Sequence, residues 1–163
     1  MATPQHNAAA TASLQDAGRL LSRLAMAVSV ACEETGVTLK QYRMLLKLVD
    51  GPLRAGVLAR LSGTTRATLS TLTRNLEQRG LVIRAAAADD GRGTNIGLTK
   101  AGRAAIHRAD KRVEQVLVDL ASGPGLHPFI EMLDQLRDPV DRVSNAYKVR
   151  NLERSEAGRS QLR

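Results

Sequence analysis

The chain has 163 residues, enough for one hydrophobic core plus a surface shared with a partner and too few for several independent modules. Lys and Arg number 24 against 16 Asp and Glu, and the net charge of +8 favours a polyanionic partner such as nucleic acid or an acidic membrane. Aromatic residues make up 2% with no Trp, which argues against single-strand binders that stack bases on aromatic platforms and leaves duplex DNA as the better fit.

Residues 1–11, with Pro4, Gln5, Asn7 and an alanine tract, carry no periodic pattern and read as a flexible arm. From Leu14 the pattern changes: Leu14, Ala17, Leu20, Leu21, Leu24, Val28 and Ala31 recur at helical spacing until Gly36. The apolar run that ends at Cys32 reads better as part of an amphipathic helix than as a signal peptide, because Asp16 and Arg23 interrupt it and no basic segment precedes it near Met1. No stretch approaches the roughly 20 apolar residues of a membrane span, so a cytoplasmic protein without membrane contact is expected. Cys32 cannot form an intramolecular disulfide, and near a helix C-terminus beside Glu33 and Glu34 its thiol is held protonated, so it reads as a packed cysteine and not a peroxide sensor.

Thr38 and Gln41 have the spacing of a capping box, which starts a second helix that runs to about Gly51-Pro52. A short helix follows from Arg54 to Leu61, with Val57, Leu58 and Leu61 inward, until Ser62-Gly63 breaks it. Thr65 caps the next helix, whose stripe of Leu69, Leu72, Thr73 and Leu76 is buried and which ends near Arg79-Gly80. Two short helices about a glycine turn form a helix-turn-helix. Leu81-Val82-Ile83 and Thr94 to Leu98 flank the turn residues Asp89 to Gly93 and read as a β-hairpin. Thr99 caps a long helix with Ala105, Ala109, Val113, Val116, Leu117 and Leu120 on its apolar face, up to Ser122-Gly123-Pro124-Gly125. Beyond it Phe129, Leu133, Leu136, Val140, Val143 and Tyr147 step by three and four, with Asp138-Pro139 kinking or restarting the helix, and a solvated charged tail ends the chain. The fold class is mainly α with a small β-hairpin.

Burying Leu69, Leu72 and Leu76 turns Ala67, Thr71, Arg74 and Gln78 outward, with Arg66, Thr68 and Ser70 around the exposed first turn. Such a face suits a major groove: Arg66 can offer paired donors to guanine, hydroxyls reach phosphates or base edges, and the helix N-terminus favours a phosphate. Arg54, Arg60, Arg79, Arg84, Arg92, Lys100 and Arg103 surround it, opposed by Glu77, Asp89 and Asp90.

Thr38, Gln41 and Leu45, then Leu58-Ala59, Gly63, Thr65-Arg66-Ala67-Thr68, Leu76, Arg79-Gly80-Leu81, Arg84, Asp90-x-Arg92 and Leu98-Thr99-x-x-Gly102 resemble, in order and spacing, the MarR family of bacterial regulators. The resemblance covers about the middle half of the chain. It implies a homodimeric, sequence-specific regulator of duplex DNA, a repressor in the commoner case, that sits on a pseudo-palindromic operator and is released by a small aromatic or anionic effector. Residues 12–36 and 100–150 would then hold dimerisation helices around a winged DNA-binding lobe at 37–99, with a charged tail at 151–163. Expected DNA contacts are Arg54, Thr64, Thr65, Arg66, Thr68, Ser70, Thr71, Arg74 and Arg84, with Arg92 in the minor groove beside Asp90. The wing departs from the family's more basic tips, since Ala85 to Ala88 precede Asp89 and Asp90, so its minor-groove contact is expected to be thin. Arg23, Met26, Tyr42, Arg43, Leu46 and His107 are expected around the effector, with Arg23 or Arg43 anchoring an anion. Leu14, Leu20, Leu21, Phe129, Leu133, Leu136, Val140, Val143 and Tyr147 are expected in the dimer interface.

No Ser-His-Asp or Cys-His set and no glycine-rich phosphate cradle is apparent, so no enzyme and no cofactor is expected. His6, His107 and His127 are too scattered for a metal site. The alternative reading is a winged helix used as an architectural or protein-interaction module without an effector.

Overall fold

A computed structural model describes residues 4–86, 93–122 and 125–160, with side chains described from residue 13 to 150 within those ranges and at Glu153. Helix α1 (Pro4–Glu34) is followed by α2 (Leu39–Leu46), strand β1 (Leu53–Arg54), α3 (Ala55–Leu61), α4 (Arg66–Gln78), β2 (Val82–Ala86), β3 (Thr94–Leu98), α5 (Lys100–Leu120), α6 (Leu126–Gln135) and α7 (Arg137–Ser160).

Local chemistry sets most boundaries. Thr38 accepts from the Gln41 amide at 3.2 Å while the Gln41 side chain accepts from the Thr38 amide at 3.0 Å, the reciprocal capping box at the start of α2. Thr65 accepts from the Thr68 amide at 3.1 Å, and Thr99 from that of Gly102 at 3.0 Å. The chain leaves α3 through Gly63 at φ +58°, the left-handed region that favours glycine.

β3 is the central strand of an antiparallel sheet ordered β1-β3-β2, with Leu53 opposite Ile96 and Val82 opposite Leu98. Met44, Leu45 and Leu48 meet Leu58, Leu69, Leu76, Ile96 and the small face Ala105, Ile106 and Ala109 of α5 in one core. Gly102 completes that face: a Cβ there would lie 2.1 Å from the Leu81 carbonyl oxygen, so α5 can lie this close to the start of the hairpin only without a side chain.

The structure revises several expectations. Residues 4–11, expected as an arm, belong to α1, because alanine has the highest helix propensity and proline is tolerated in a first helical turn. The expected tail continues α7 to Ser160. α2 gives way to turns after Leu46, well short of Gly51. Leu61 is 46% exposed, and Ala59 takes the inward position beside Leu58. Leu120, expected on the apolar face of α5, is 43% exposed, since that helix turns its buried face to the core only over its first half. Leu81, expected as strand, precedes β2 but is buried. At Asp138-Pro139 the helix restarts: α6 ends at Gln135 with Leu136 as its C-cap, and Pro139 falls in the first turn of α7, where a missing N–H leaves no intrahelical bond unmade.

Candidate nucleic-acid interface

α3 and α4 form the helix-turn-helix, and the core stripe Leu69, Thr73 and Leu76 leaves Arg66, Ala67, Thr71, Arg74 and Gln78 exposed along α4. The first turn is ordered by hydroxyls. Thr65 and Thr68 Oγ1 atoms lie 2.9 Å apart, and Thr71 donates to the Ala67 carbonyl at 3.3 Å. Thr64 and Ser70 are half-buried beside this turn.

Between α3, α4 and the hairpin lies a groove of about 600 Å³ lined by Arg54, Arg60, Arg66 and Arg84 together with Ser70, Thr73 and Thr94. Arg84 is turned onto α4: it donates to Thr73 Oγ1 at 2.7 Å and to the Ser70 carbonyl at 3.3 Å, and its Nε lies 3.1 Å from Glu77 Oε2. The hairpin is thereby fastened to the helix it flanks. Arg103, expected near the interface, donates to the Val49 carbonyl at 3.2 Å. Asp90 and Arg92 lie outside the described residues.

A second network ties the end of α4 to the junction of α1 and α2. Gln41 Nε2 donates to Asn75 Oδ1 at 2.9 Å, and Arg79 donates to Gln41 Oε1 at 3.3 Å and to the Gly36 carbonyl.

A separate cleft of about 510 Å³ opens between α1, α2, the α3–α4 turn and α7. Arg43 lines it, as do Met44, Lys47, Leu61, Thr64 and Lys148; Arg23, Met26, Tyr42, Leu46 and His107 do not. Met26 is 66% exposed and Leu46 39% exposed, while Tyr42 donates to Asp110 Oδ1 at 2.5 Å. Sequence periodicity places residues on a helix face but not against distant elements, and the lining draws on positions as far apart as Ser29 and Lys148.

Cys32 is fully buried, and burial first, then Glu33 and Asp110, push its thiol pKa up. His107 is exposed on α5, and His127 lies 3.3 Å from Glu131. Among the described residues no group of His, Cys, Asp and Glu could hold a metal ion, and no helix is long and apolar enough to cross a membrane. Leu14, Leu20, Leu21, Leu136, Val140, Val143 and Tyr147 are exposed, while Phe129 and Leu133 are half-buried.

Residues 35–93 match the MarR family profile. The HTH-type transcriptional repressor Rv2887 of Mycobacterium tuberculosis strain ATCC 25618 / H37Rv is 35% identical over 114 residues, which span 67% of this chain and 81% of that protein. The chain belongs to the MarR family. A MarR-family transcriptional regulator from Rhodococcus sp. RHA1 superposes on this one with a TM-score of 0.65 at 26% identity, covering 79% of this chain and 92% of the other. The M. tuberculosis regulator MOSR (Rv1049), solved in complex with DNA, gives a TM-score of 0.61 at 25% identity over 83% of this chain and 96% of its own. This MarR-family chain is therefore a winged-helix transcriptional regulator, and the exposed face of α4 with the arginine-lined groove beside it is the candidate interface.

Proposed function

We propose that this regulator represses transcription as a homodimer on a pseudo-palindromic operator, with α4 in the major groove and the wing in the adjacent minor groove. The observation that carries the reading is the capped, exposed α4 face with Arg66 at its first turn and four arginines lining the neighbouring groove. Arg66, Arg74 and Thr71 are assigned to base edges and phosphates, Arg54 to the backbone, Thr64, Thr65, Thr68 and Ser70 to the phosphates at the helix N-terminus, and Arg92 to the minor groove with Asp90 orienting it. A structural relative solved in complex with DNA supports DNA binding by this fold.

The exposed apolar residues of α1, α6 and α7 supply the dimer interface, since a ladder that includes Leu14 at 74% and Leu21 at 62% exposure is costly to leave in water. An effector enters the cleft beside α2 and releases DNA. The coupling has a physical route: Thr38 of the capping box and Lys40 within it line the cleft, and Gln41 of that box bonds to Asn75 on α4. A ligand that shifts α2 therefore shifts the recognition helix, to the extent that it binds the two arrangements differently.

The test is binding to DNA upstream of the protein's own gene against a shuffled duplex, at two salt concentrations, for wild type, Arg66→Ala and Arg92→Ala. Selective binding lost in both variants is expected. Equal, weak, steeply salt-dependent binding to both duplexes would replace the repressor with an architectural role.

A further inference from the structure

The cleft beside α2 carries an unbalanced charge. Lys40, Arg43 and Lys47 of α2 and its following turn converge with Lys148 of α7, and no Asp or Glu is among the described lining residues. Lys148 donates to Asn145 at 2.9 Å, a neutral partner that leaves its charge uncompensated. The pKa of Lys47 is lowered by burial and by the positive charges of Lys148 and Arg43. The floor, in contrast, is apolar, built from Leu39, Met44, Leu61 and Leu72. In the wall beside the helix-turn-helix, Ser62 Oγ is sealed from solvent and has no hydrogen-bond partner among the described residues.

We propose that the ligand of this cleft is an amphiphile with an apolar tail and at least two negative charges, a phosphate or diphosphate ester and not a simple carboxylate. The inference rests on the effector reading above and narrows it. A monocarboxylate would engage one or two of the cations and leave the others repelling each other, whereas a phosphate monoester brings about −1.5 to −2 charges and three acceptor oxygens. The cations come from two bodies, α2 and α7, so a polyanion between them draws both together. The α3–α4 turn packs against the α7 side of the cleft: a Cβ on Gly63 would sit 2.8 Å from Lys148 Cγ. Movement of α7 toward α2 is thus delivered to the turn that positions the recognition helix.

Calorimetric titration of the full-length protein with octanol, octanoate, octyl phosphate and octyl diphosphate, all below micelle formation, varies charge at constant tail. Affinity should rise about tenfold from octanoate to octyl phosphate and again to the diphosphate, with inorganic diphosphate bound more weakly than its octyl ester. Lys47→Met and Lys148→Met should each narrow the gap between octyl diphosphate and octanoate with little change for octanoate, while Arg60→Ala in the DNA-side groove should leave all four affinities as in the wild type. Octanoate bound as tightly as octyl diphosphate, no binding of either phosphate ester, or loss caused by Arg60→Ala in place of the lysine variants would overturn the proposal. Titrating the operator complex separates the two claims. Charge-dependent binding that leaves DNA bound removes the effector role and keeps the ligand class, whereas release by octanoate at concentrations no higher than those of the phosphate esters keeps the effector role and removes the class.

Discussion

A Cβ on Gly102 would approach the Leu81 carbonyl oxygen to 2.1 Å, and the obstructing atom is backbone, which cannot swing aside. The same carbonyl accepts from Thr99 Oγ1 at 3.2 Å, and that hydroxyl also donates to the Gly80 carbonyl at 2.6 Å, so the entry to α5 and the entry to the hairpin are built as one joint. Gly102→Ala is expected to cost about 1–3 kcal/mol in urea unfolding, the range for overpacking, and a cost below a few tenths would mean the joint relaxes freely. Tyr42 makes a second residue-scale prediction. Burial first, then its bond to Asp110, raise the phenol pKa above its unfolded value near 10. A folded pKa that is raised keeps the proton on, so this stabilisation is complete below about pH 10 and is lost as pH climbs from there through the folded value. Tyr42→Phe should be less stable at neutral pH by about 1 kcal/mol and should flatten the alkaline decline in unfolding free energy. An unchanged slope above pH 10 would show that Tyr42 does not set it.

The elements differ in how far the sequence discloses them. The helix starts at Thr38, Thr65 and Thr99 were readable because a cap is local, a hydroxyl three residues from the amide it satisfies. The outward face of α4 followed from the 100° step once its leucines were placed inward. Strand β1 was not readable: two residues carry no period, and Leu53-Arg54 is a strand only because Ile96 and Asn95 pair with it. Of the cleft proposed for the effector only Arg43 was expected, for the same reason on a larger scale, since Lys47 and Lys148 come to line one cleft only through the packing of distant elements. Arg84 stands between these cases. Its sequence neighbourhood suggests a DNA contact, and it lines the arginine groove, but its guanidinium also bonds to Thr73 and Ser70 and pairs with Glu77; we propose that it serves chiefly to hold β2 against α4. With side chains 29% and 41% exposed, the Arg84–Glu77 ion pair contributes little by itself, about 0–1 kcal/mol, and the bond to buried Thr73 carries more of the fastening. Arg84→Met should weaken operator binding about three- to tenfold while leaving the salt dependence near wild type, whereas Arg66→Ala should lower the salt slope by about one. A lowered slope for Arg84→Met would make Arg84 a phosphate contact after all.

Across the whole molecule, in the proposed reading one chain has one recognition helix and one wing, enough to reach a single half-site. The apolar ladder of α1, α6 and α7 joins the argument at this scale, because those residues complete no core within the chain: Val140, Val143 and Tyr147 remain 57%, 56% and 57% exposed. The proposed symmetric pairing through them would set two α4 helices a fixed distance apart, and duplex DNA presents equivalent groove faces about one helical turn, roughly 34 Å or 10–10.5 base pairs, from each other. Charge placed in the ladder and phase placed in the DNA should therefore have the same consequence by independent routes. Leu21→Asp combined with Val143→Asp should yield a monomer by light scattering that binds the operator and a single half-site equally. Inserting about five base pairs between half-sites should reduce wild-type affinity to that same level, since the second helix then faces the far side of the duplex, and inserting about ten should restore part of it. If the insertion is tolerated, the two lobes are not held in fixed register. An effector could not then act by changing their spacing, and the repression mechanism would have to reside within a single lobe.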